Sequence, residues 1–439
     1  MTLSVALESF FHKNRFNTEK TCWIAYSGGL DSHVLLTLCY QYRLQNLIHL
    51  KAIHINHGLN KEAFNWSCHC RKNCEDLQID YVEFNIHIDS KSGDSLEEEA
   101  RKKRYACFSE CIKEGDFLLT AHHQDDQAET FFLQLFRGAG LKGLSAMPIF
   151  TSFFRGFHGR PLLSFSRNDL KEFALLHQLK WIEDESNINF KFNRNYIRHE
   201  LMPVICKRWP NVATVISRSA EHCAEAQHLL ESISELELEQ IKGRFDHTIS
   251  VDKLANFNPS KQRLLLRTWI AQRQFPLPNT RKLLNLQNVM LHARKDKSPC
   301  VAWGHVEMRR YRDDLYLMTV IPELSTDAAS CIWNIQKPCH YQGLGTLYAV
   351  LEHGSGIKVH INQLHVRFRV KGESVHFAGR VSSLKKLFQE YGVPPWERYR
   401  IPLLFHENKL IEIPGYVIDH RFIAKNQESG NRIVWRWDS

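Results

Sequence analysis

Apolar runs of strand length alternate with helix-patterned stretches through roughly the first 200 residues. Thr21–Tyr26 (TCWIAY) reads as a buried strand; a Ser-Gly-Gly turn follows, and then the mostly apolar stretch His33–Leu44 reads as a helix. A second strand, LIHLKAIHIN, ends at Asn56; a third lies around Tyr81–Ile86 and a fourth at Asp116–Ala121, with a helix from about Asp125. Strands separated by helices predict parallel strands joined by right-handed crossovers, hence an α/β, Rossmann-like sheet covered on both faces. Such sheets bind ligands beyond the carboxyl ends of their strands. The loops after Tyr26, Asn56 and Ala121 are therefore where chemistry is expected.

From Asn211 to Gly243 the pattern becomes one long helix, with Leu229, Leu230, Ile233, Leu236 and Ile241 at helical spacing and six glutamates giving it a solvated face. It leaves the first domain and begins a second, helix-rich one. Residues 322–336 (PELSTDAASCIWNIQ) read as a linker. Short alternating runs and one helical stretch, SSLKKLFQEYG, then predict a small α+β domain. The expected organisation is a catalytic α/β domain at 1–215, a helical domain at 216–321, the linker, and a C-terminal α+β domain at 337–439. A chain of 439 residues is too long for one ordinary core, which agrees with that division.

Composition adds three constraints. No stretch approaches the roughly 20 apolar residues of a membrane span, and Glu8 interrupts the N-terminus too early for a signal-peptide core. A cytoplasmic protein with no membrane association is expected. The twelve cysteines suggest reduced thiols rather than a disulfide framework. Cys68, Cys70 and Cys74 lack the paired Cys-x2-Cys spacing of common zinc sites, so a structural role is preferred over a metal site. The net charge is +9, and residues 261–321 hold twelve Lys/Arg against four Asp/Glu, while 356–401 hold nine against three. Positive charge concentrated in two late segments fits a polyanion surface, although a merely soluble basic surface fits equally well.

The strongest chemical signal is Ser27-Gly28-Gly29-Leu30-Asp31-Ser32, between a strand and a helix. Glycines allow a tight turn and close approach of N–H groups to an anion, and the helix start adds unpaired N–H groups. Ser27 and Ser32 add hydroxyls, and Asp31 has the chemistry to hold Mg2+ on bound phosphates. The Gly-Lys-Ser/Thr ending of a Walker loop is missing. These residues resemble the S-G-G-x-D-S signature of the PP-loop, or N-type, ATP pyrophosphatases, which cleave ATP between its α and β phosphates and transfer AMP to an oxygen.

Four further segments narrow the resemblance. His54-Ile55-Asn56-His57-Gly58-Leu59 ends the second strand, where His57 would lie beside the nucleotide. Ser95 and Glu98 have the spacing of a capping box, and Arg101 and Arg104 behind them share a helix face suited to phosphate. In Thr120-Ala121-His122-His123-Gln124-Asp125-Asp126-Gln127-Ala128-Glu129-Thr130, Asp126 and Glu129 are three apart on a helix and can face one ligand. Helix capping by Asp125, or a metal cluster, would be the plainer readings. Arg194 and Arg198, four apart, would share a face toward phosphate.

Together these segments resemble the lysidine synthases. The third matches their T-A-H-H-x-D-D-Q-x-E-T motif at every specified position, and the likeness continues through Arg160-Pro161-Leu162-Leu163, Trp181, Asp184, Ser186 and Asn187. Asn60 stands where that family has an arginine. The resemblance implies an enzyme that uses ATP and Mg2+ to adenylate the wobble cytidine of a tRNA(Ile) with a CAU anticodon, and then joins L-lysine to it. Ser27 to Ser32 and His57 would bind ATP; Asp31, Arg101, Arg104, His122, Asp126 and Glu129 would serve catalysis; Asp126, Glu129, Arg194 and Arg198 would bind substrate. A homodimer is compatible with it. A tRNA thiolase, which would use the same loop with reactive or cluster-binding cysteines, is the alternative, and an RNA-binding protein without ATP chemistry is the non-enzymatic one.

Overall fold

The computed structural model describes residues 2–56, 58, 62–87, 96–183, 193–294, 297–321, 330–369, 374–425 and 428–437. His57, Asn60, Ser95, Asp184, Ser186 and Asn187 lie outside the described residues. Two compact units divide the chain, Met1–Ser232 and Ile233–Ser439.

In the first unit, β1 (Thr21–Ala25), β2 (His49–Asn56), β3 (Asp80–Asn85) and β4 (Phe117–Leu119) lie where apolar runs predict them. The hairpin β5 (Phe150–Phe153) and β6 (Gly156–Gly159) completes a six-stranded sheet in the order β3-β2-β1-β4-β6-β5. All pairings are parallel except the edge pair β5–β6, so the expected parallel sheet carries one antiparallel edge strand. The chain runs outward from β1 to β2 and β3, then returns to set β4 against the other side of β1. The carboxyl ends of β1 and β4 therefore form the switch point at which such sheets open a crevice.

Helices α1 (Leu3–Lys13), α2 (Leu30–Gln45), α3 (Ala63–Asp76), α4 (Leu96–Cys111) and α5 (Gln124–Phe136) accompany this sheet. Val34, Leu35, Leu36 and Leu38 of α2 pack in the same core as Ile24 of β1, Ala52 of β2 and Leu119 of β4. Cys70 and Cys74 are in that core as well, which gives them a packing role. Asn193–Tyr196 begins a helix that passes through a π-helical turn, Ile197–Leu201, into Met202–Arg208. The long helix Val212–Gln240 carries the boundary between the units.

The second unit holds more strand than the sequence predicts. Helices Pro259–Gln272 and Thr280–His292 pack on a four-stranded antiparallel sheet built from Ile249–Ser250, Cys300–Trp303, Val306–Tyr311 and Asp314–Thr319. Alternation in Val306–Tyr311 is obscured because Glu307 and Arg310 are buried alongside Val306 and Met308. Cys331–Asn334, inside the stretch read as a linker, is an edge strand paired with Gln363–Arg367. The remaining described residues form antiparallel sheets with one helix, Leu384–Glu390. Buried Arg398 donates through Nε to Val393 O (2.9 Å) and through Nη2 to Tyr311 Oη (3.1 Å), tying this part to the preceding sheet.

Candidate active site

The turn after β1 is held by its own hydroxyls. Ser32 Oγ accepts from Ser27 N (3.2 Å), lies 3.0 Å from Ser27 Oγ and donates to Gly29 O at 3.0 Å. Gly28 has a φ of +84°, and a Cβ there would lie 2.7 Å from both Cys70 Sγ and Ile182 Cδ1. Only glycine meets both conditions, so Gly28 lets the turn settle against the core. Gly29 caps α2 without a side-chain hydrogen bond, which leaves the first N–H groups of a 16-residue helix available to an anion.

Asp31 is the second residue of α2, and its Oδ1 is buried with no hydrogen-bond partner among the described residues. Its Oδ2 lies 3.6 Å from Nε2 of His123, at the end of the loop after β4. The same imidazole approaches Asp125 Oδ2 and Asp126 Oδ2, each at 3.4 Å. Burial alone would lower the pKa of His123, but the Asp125, Asp31 and Asp126 carboxylates outweigh it and raise the ring to about 10. A charged histidine thus connects the loop after β1 to the acidic helix after β4.

His123, rather than Asp125, is the N-cap of α5. Asp126 reaches back to accept from His123 N at 3.1 Å, and Asp125 accepts from Arg167 N at 2.9 Å. Asp126 and Glu129 share a face as their spacing requires, and both are buried, at 8% and 2% exposure. Their partners are the two arginines expected to face phosphate. Arg194 Nε donates to Glu129 Oε2 (2.7 Å) and its Nη2 to Asp126 Oδ1 (2.8 Å). Arg198 Nε donates to Glu129 Oε1 (2.5 Å), and its Nη2 to Asp126 Oδ1 and Glu129 Oε2, both at 3.0 Å. Burial would raise Asp126, yet His123 and Arg194 hold its carboxyl well below the usual range. Arg198 sits on the π-helical turn, a local irregularity common at functional sites.

His122 is half-buried, and its Nδ1 lies 2.7 Å from Thr120 Oγ1. Burial lowers the pKa of His122 to about 3 against the attraction of Asp126, with Arg160, Arg194 and Arg101 lowering it further. On α4, Arg101 stacks over Tyr105 at 5.0 Å and is exposed, while Arg104 is half-buried. His54, the other end of the weaker histidine segment, is buried with Nδ1 2.9 Å from Tyr26 O and serves the core. Asn56 shapes the adjoining turn by accepting from Gly58 N at 2.9 Å and donating to Ser67 Oγ at 3.1 Å.

Sequence reasoning left His123, Thr120 and Arg160 without roles and passed over His158. The doubled histidine was the available signal for His123; nothing local marks His158, whose neighbour in space is on another strand. Cys70 and Cys74 are buried, and burial pushes both thiols up, that of Cys74 to about 12.

Residues 2–205 match the PP-loop domain, 249–316 the TilS substrate binding domain and 364–435 the TilS substrate C-terminal domain. The chain is 43% identical to the tRNA(Ile)-lysidine synthase of Coxiella burnetii, over 94% of this chain and 92% of the relative. It is 38% identical to that of Pectobacterium atrosepticum over 94% of each. A solved U34-tRNA thiolase, NcsA from Methanococcus maripaludis with its 4Fe-4S cluster, aligns at a TM-score of 0.42 and 19% identity over 51% of this chain and 78% of that one. With matches of this identity running nearly end to end, and a phosphate-ready turn facing the acidic helix, the chain belongs to the tRNA(Ile)-lysidine synthase family.

Proposed function

We propose that the chain is an ATP-dependent ligase that joins L-lysine to C2 of the wobble cytidine in the CAU anticodon of tRNA(Ile), forming lysidine. The modified base reads AUA instead of AUG, and the tRNA is charged with isoleucine instead of methionine. The observation that carries this reading is the His123 bridge, which brings Asp31 of the nucleotide turn and Asp126 of the acidic pair to one imidazole. Activation and amine capture both need these two elements in one crevice.

In the first step the cytidine O2 attacks the α phosphorus of ATP, and pyrophosphate leaves. The turn from Ser27 to Ser32 would cradle the phosphates, while Arg101, Arg104 and His122 would offset the charge that develops on them. Asp31 would hold Mg2+ through its unpartnered Oδ1. The ion would supply charge neutralisation at the phosphates.

In the second step the ε-amine of lysine attacks C2, and AMP leaves as the C2–O bond breaks. The free amine has a pKa of about 10.4, so it must lose a proton near neutrality. Asp126 and Glu129 would bind the ammonium, and its proton would pass to Glu129, a histidine or water. Arg194 and Arg198 would hold the pair in place and contribute to the substrate face.

The packing of Cys70 and Cys74 in the core leaves Cys68 as the exposed member of the three, too few for a cluster, which favours this reading over a cluster-binding thiolase. Among the described residues no helix is long and apolar enough to cross a membrane; we place the enzyme in the cytoplasm with its tRNA, and a homodimer is the assembly to test by light scattering. The decisive experiment incubates tRNA(Ile) with ATP and isotopically labelled lysine and measures the tRNA mass. Lysine incorporation at the wobble base with release of AMP and pyrophosphate is expected. Sulfur incorporation from a sulfur donor, or no conversion of ATP, would overturn the proposal.

A further inference from the structure

One chain of polar groups beside the crevice lies outside the proposed chemistry. Parallel pairing of β6 with β4 sets His158 against Leu118, and its ring reaches the next turn of backbone, with Nε2 2.9 Å from Thr120 Oγ1. Its other nitrogen, Nδ1, lies 3.2 Å from Arg160 Nη2. Thr120 Oγ1 is also 2.7 Å from His122 Nδ1. Thr120, His158 and Arg160 are 7%, 2% and 5% exposed, so water does not compete for these bonds.

The protons along this chain have one consistent arrangement. A guanidinium only donates, so His158 Nδ1 accepts and the His158 proton sits on Nε2, which donates to Thr120 Oγ1. The threonine hydroxyl carries a single proton, and its remaining partner among the described residues is His122 Nδ1. It donates there. His122 Nδ1 is then an acceptor, and its proton is carried on Nε2, which has no protein partner among the described residues. Burial lowers both rings, His122 to about 3 and His158 to about 2, and the Arg160 and Arg101 guanidiniums reinforce the neutral state of each. The two adjacent histidines are thereby opposites: carboxylates hold His123 charged against its burial, while burial, reinforced by guanidiniums, keeps His122 neutral.

We propose that Arg160, His158 and Thr120 are positioning residues that lock His122 as the neutral Nε2–H tautomer, so that it meets the phosphoryl oxygens as a hydrogen-bond donor and not as a base. This assignment rests on the reading that ATP occupies the neighbouring turn. A preset donor avoids reorganisation as charge develops in the transition state, and a fixed tautomer is how partners on one imidazole nitrogen govern the other.

The test is a long-range 1H–15N correlation spectrum of the full chain labelled with 15N-histidine, with His122 assigned by its loss in His122→Gln. The Nε2–H pattern is expected from about pH 6 to pH 9. In Thr120→Val the ring should become a mixture of tautomers. The kcat for pyrophosphate release should fall about 10- to 100-fold, the size typical of losing a supporting hydrogen bond, with little change in KM for ATP. Thr120→Ser, which restores the hydroxyl, and His158→Gln, whose amide still donates, should recover most of the rate. An Nδ1–H or doubly protonated His122 at neutral pH in the wild-type chain, or an unaltered kcat in Thr120→Val, would overturn the proposal. A wild-type chain showing the Nε2–H tautomer but no lysine transfer would instead count against the ligase reading alone.

Discussion

Replacing Glu129 by alanine is the sharpest perturbation of the crevice, because both of its carboxylate oxygens are engaged and the side chain is 2% exposed. The substitution takes away one of the two carboxylates that the Arg194 and Arg198 guanidiniums share. Breaking a buried ion pair from one side costs about 3–5 kcal/mol. These guanidiniums retain 24% and 26% exposure and water recovers part of that loss, so the lower end, about 3 kcal/mol, is expected. For a unit of this size each kcal/mol moves Tm by about 2–4 °C, giving a fall of roughly 6–12 °C by calorimetry or circular dichroism. The double variant with Arg198→Met should be destabilised by less than the sum of the singles, since one orphaned charge has gone. The lysine concentration for half-maximal lysidine formation should also rise. A Tm within about 1 °C of wild type would refute the ion-cluster energetics, and an unchanged lysine response would remove Glu129 from the amine site.

Three further outcomes follow from the same geometry. Asp31→Ala and Ser32→Ala should each lower pyrophosphate release by about 100-fold or more, as expected for lost phosphate contacts; near-normal turnover in both would contradict the nucleotide turn. Gly28→Ala forces a Cβ into a left-handed backbone at 2.7 Å from Cys70 Sγ and Ile182 Cδ1. It should cost about 1–3 kcal/mol in thermal stability and weaken ATP binding, and wild-type values for both would count against the strained-turn account. His123 is raised from 6.5 to about 10, so the folded state holds its proton more tightly than the unfolded chain does. That stabilisation is fully present below about pH 6.5 and lost as pH rises through about 10. Wild-type Tm should therefore decline between those limits, and His123→Gln should flatten the decline; parallel Tm–pH curves would refute the charged bridge.

The strands of the nucleotide-binding sheet were legible because a fully buried parallel strand must be apolar along its whole length, as Cys22, Trp23 and Ile24 are. The hairpin at Phe150–Gly159 was not, since its edge strand alternates little and Thr151 and Ser152 face solvent. The sheet of the middle segment escaped for the opposite reason. Glu307 and Arg310 are buried there because polar partners meet them, Arg309 and Cys300 for one and the carbonyls of Met290 and Arg312 for the other. A periodicity argument counts such residues as outward-facing, so the pattern does not read as a strand.

Charge partners posed a harder problem than secondary structure. Helical spacing puts Asp126 beside Glu129 and Arg194 near Arg198, and the structure keeps both faces. Spacing says nothing of what a face meets. Each pair was assigned a ligand of opposite sign, ammonium for the acids and phosphate for the arginines, yet the structure sets the two faces against each other. Two charge pairs of opposite sign on separate helices have strong reason to meet, because a carboxylate as buried as Glu129 would otherwise carry its full desolvation penalty. If lysine binds as proposed, its ammonium competes with, or joins, guanidiniums already in place. The ease of that exchange is a property of four residues at once, and it is written in none of the motifs taken singly.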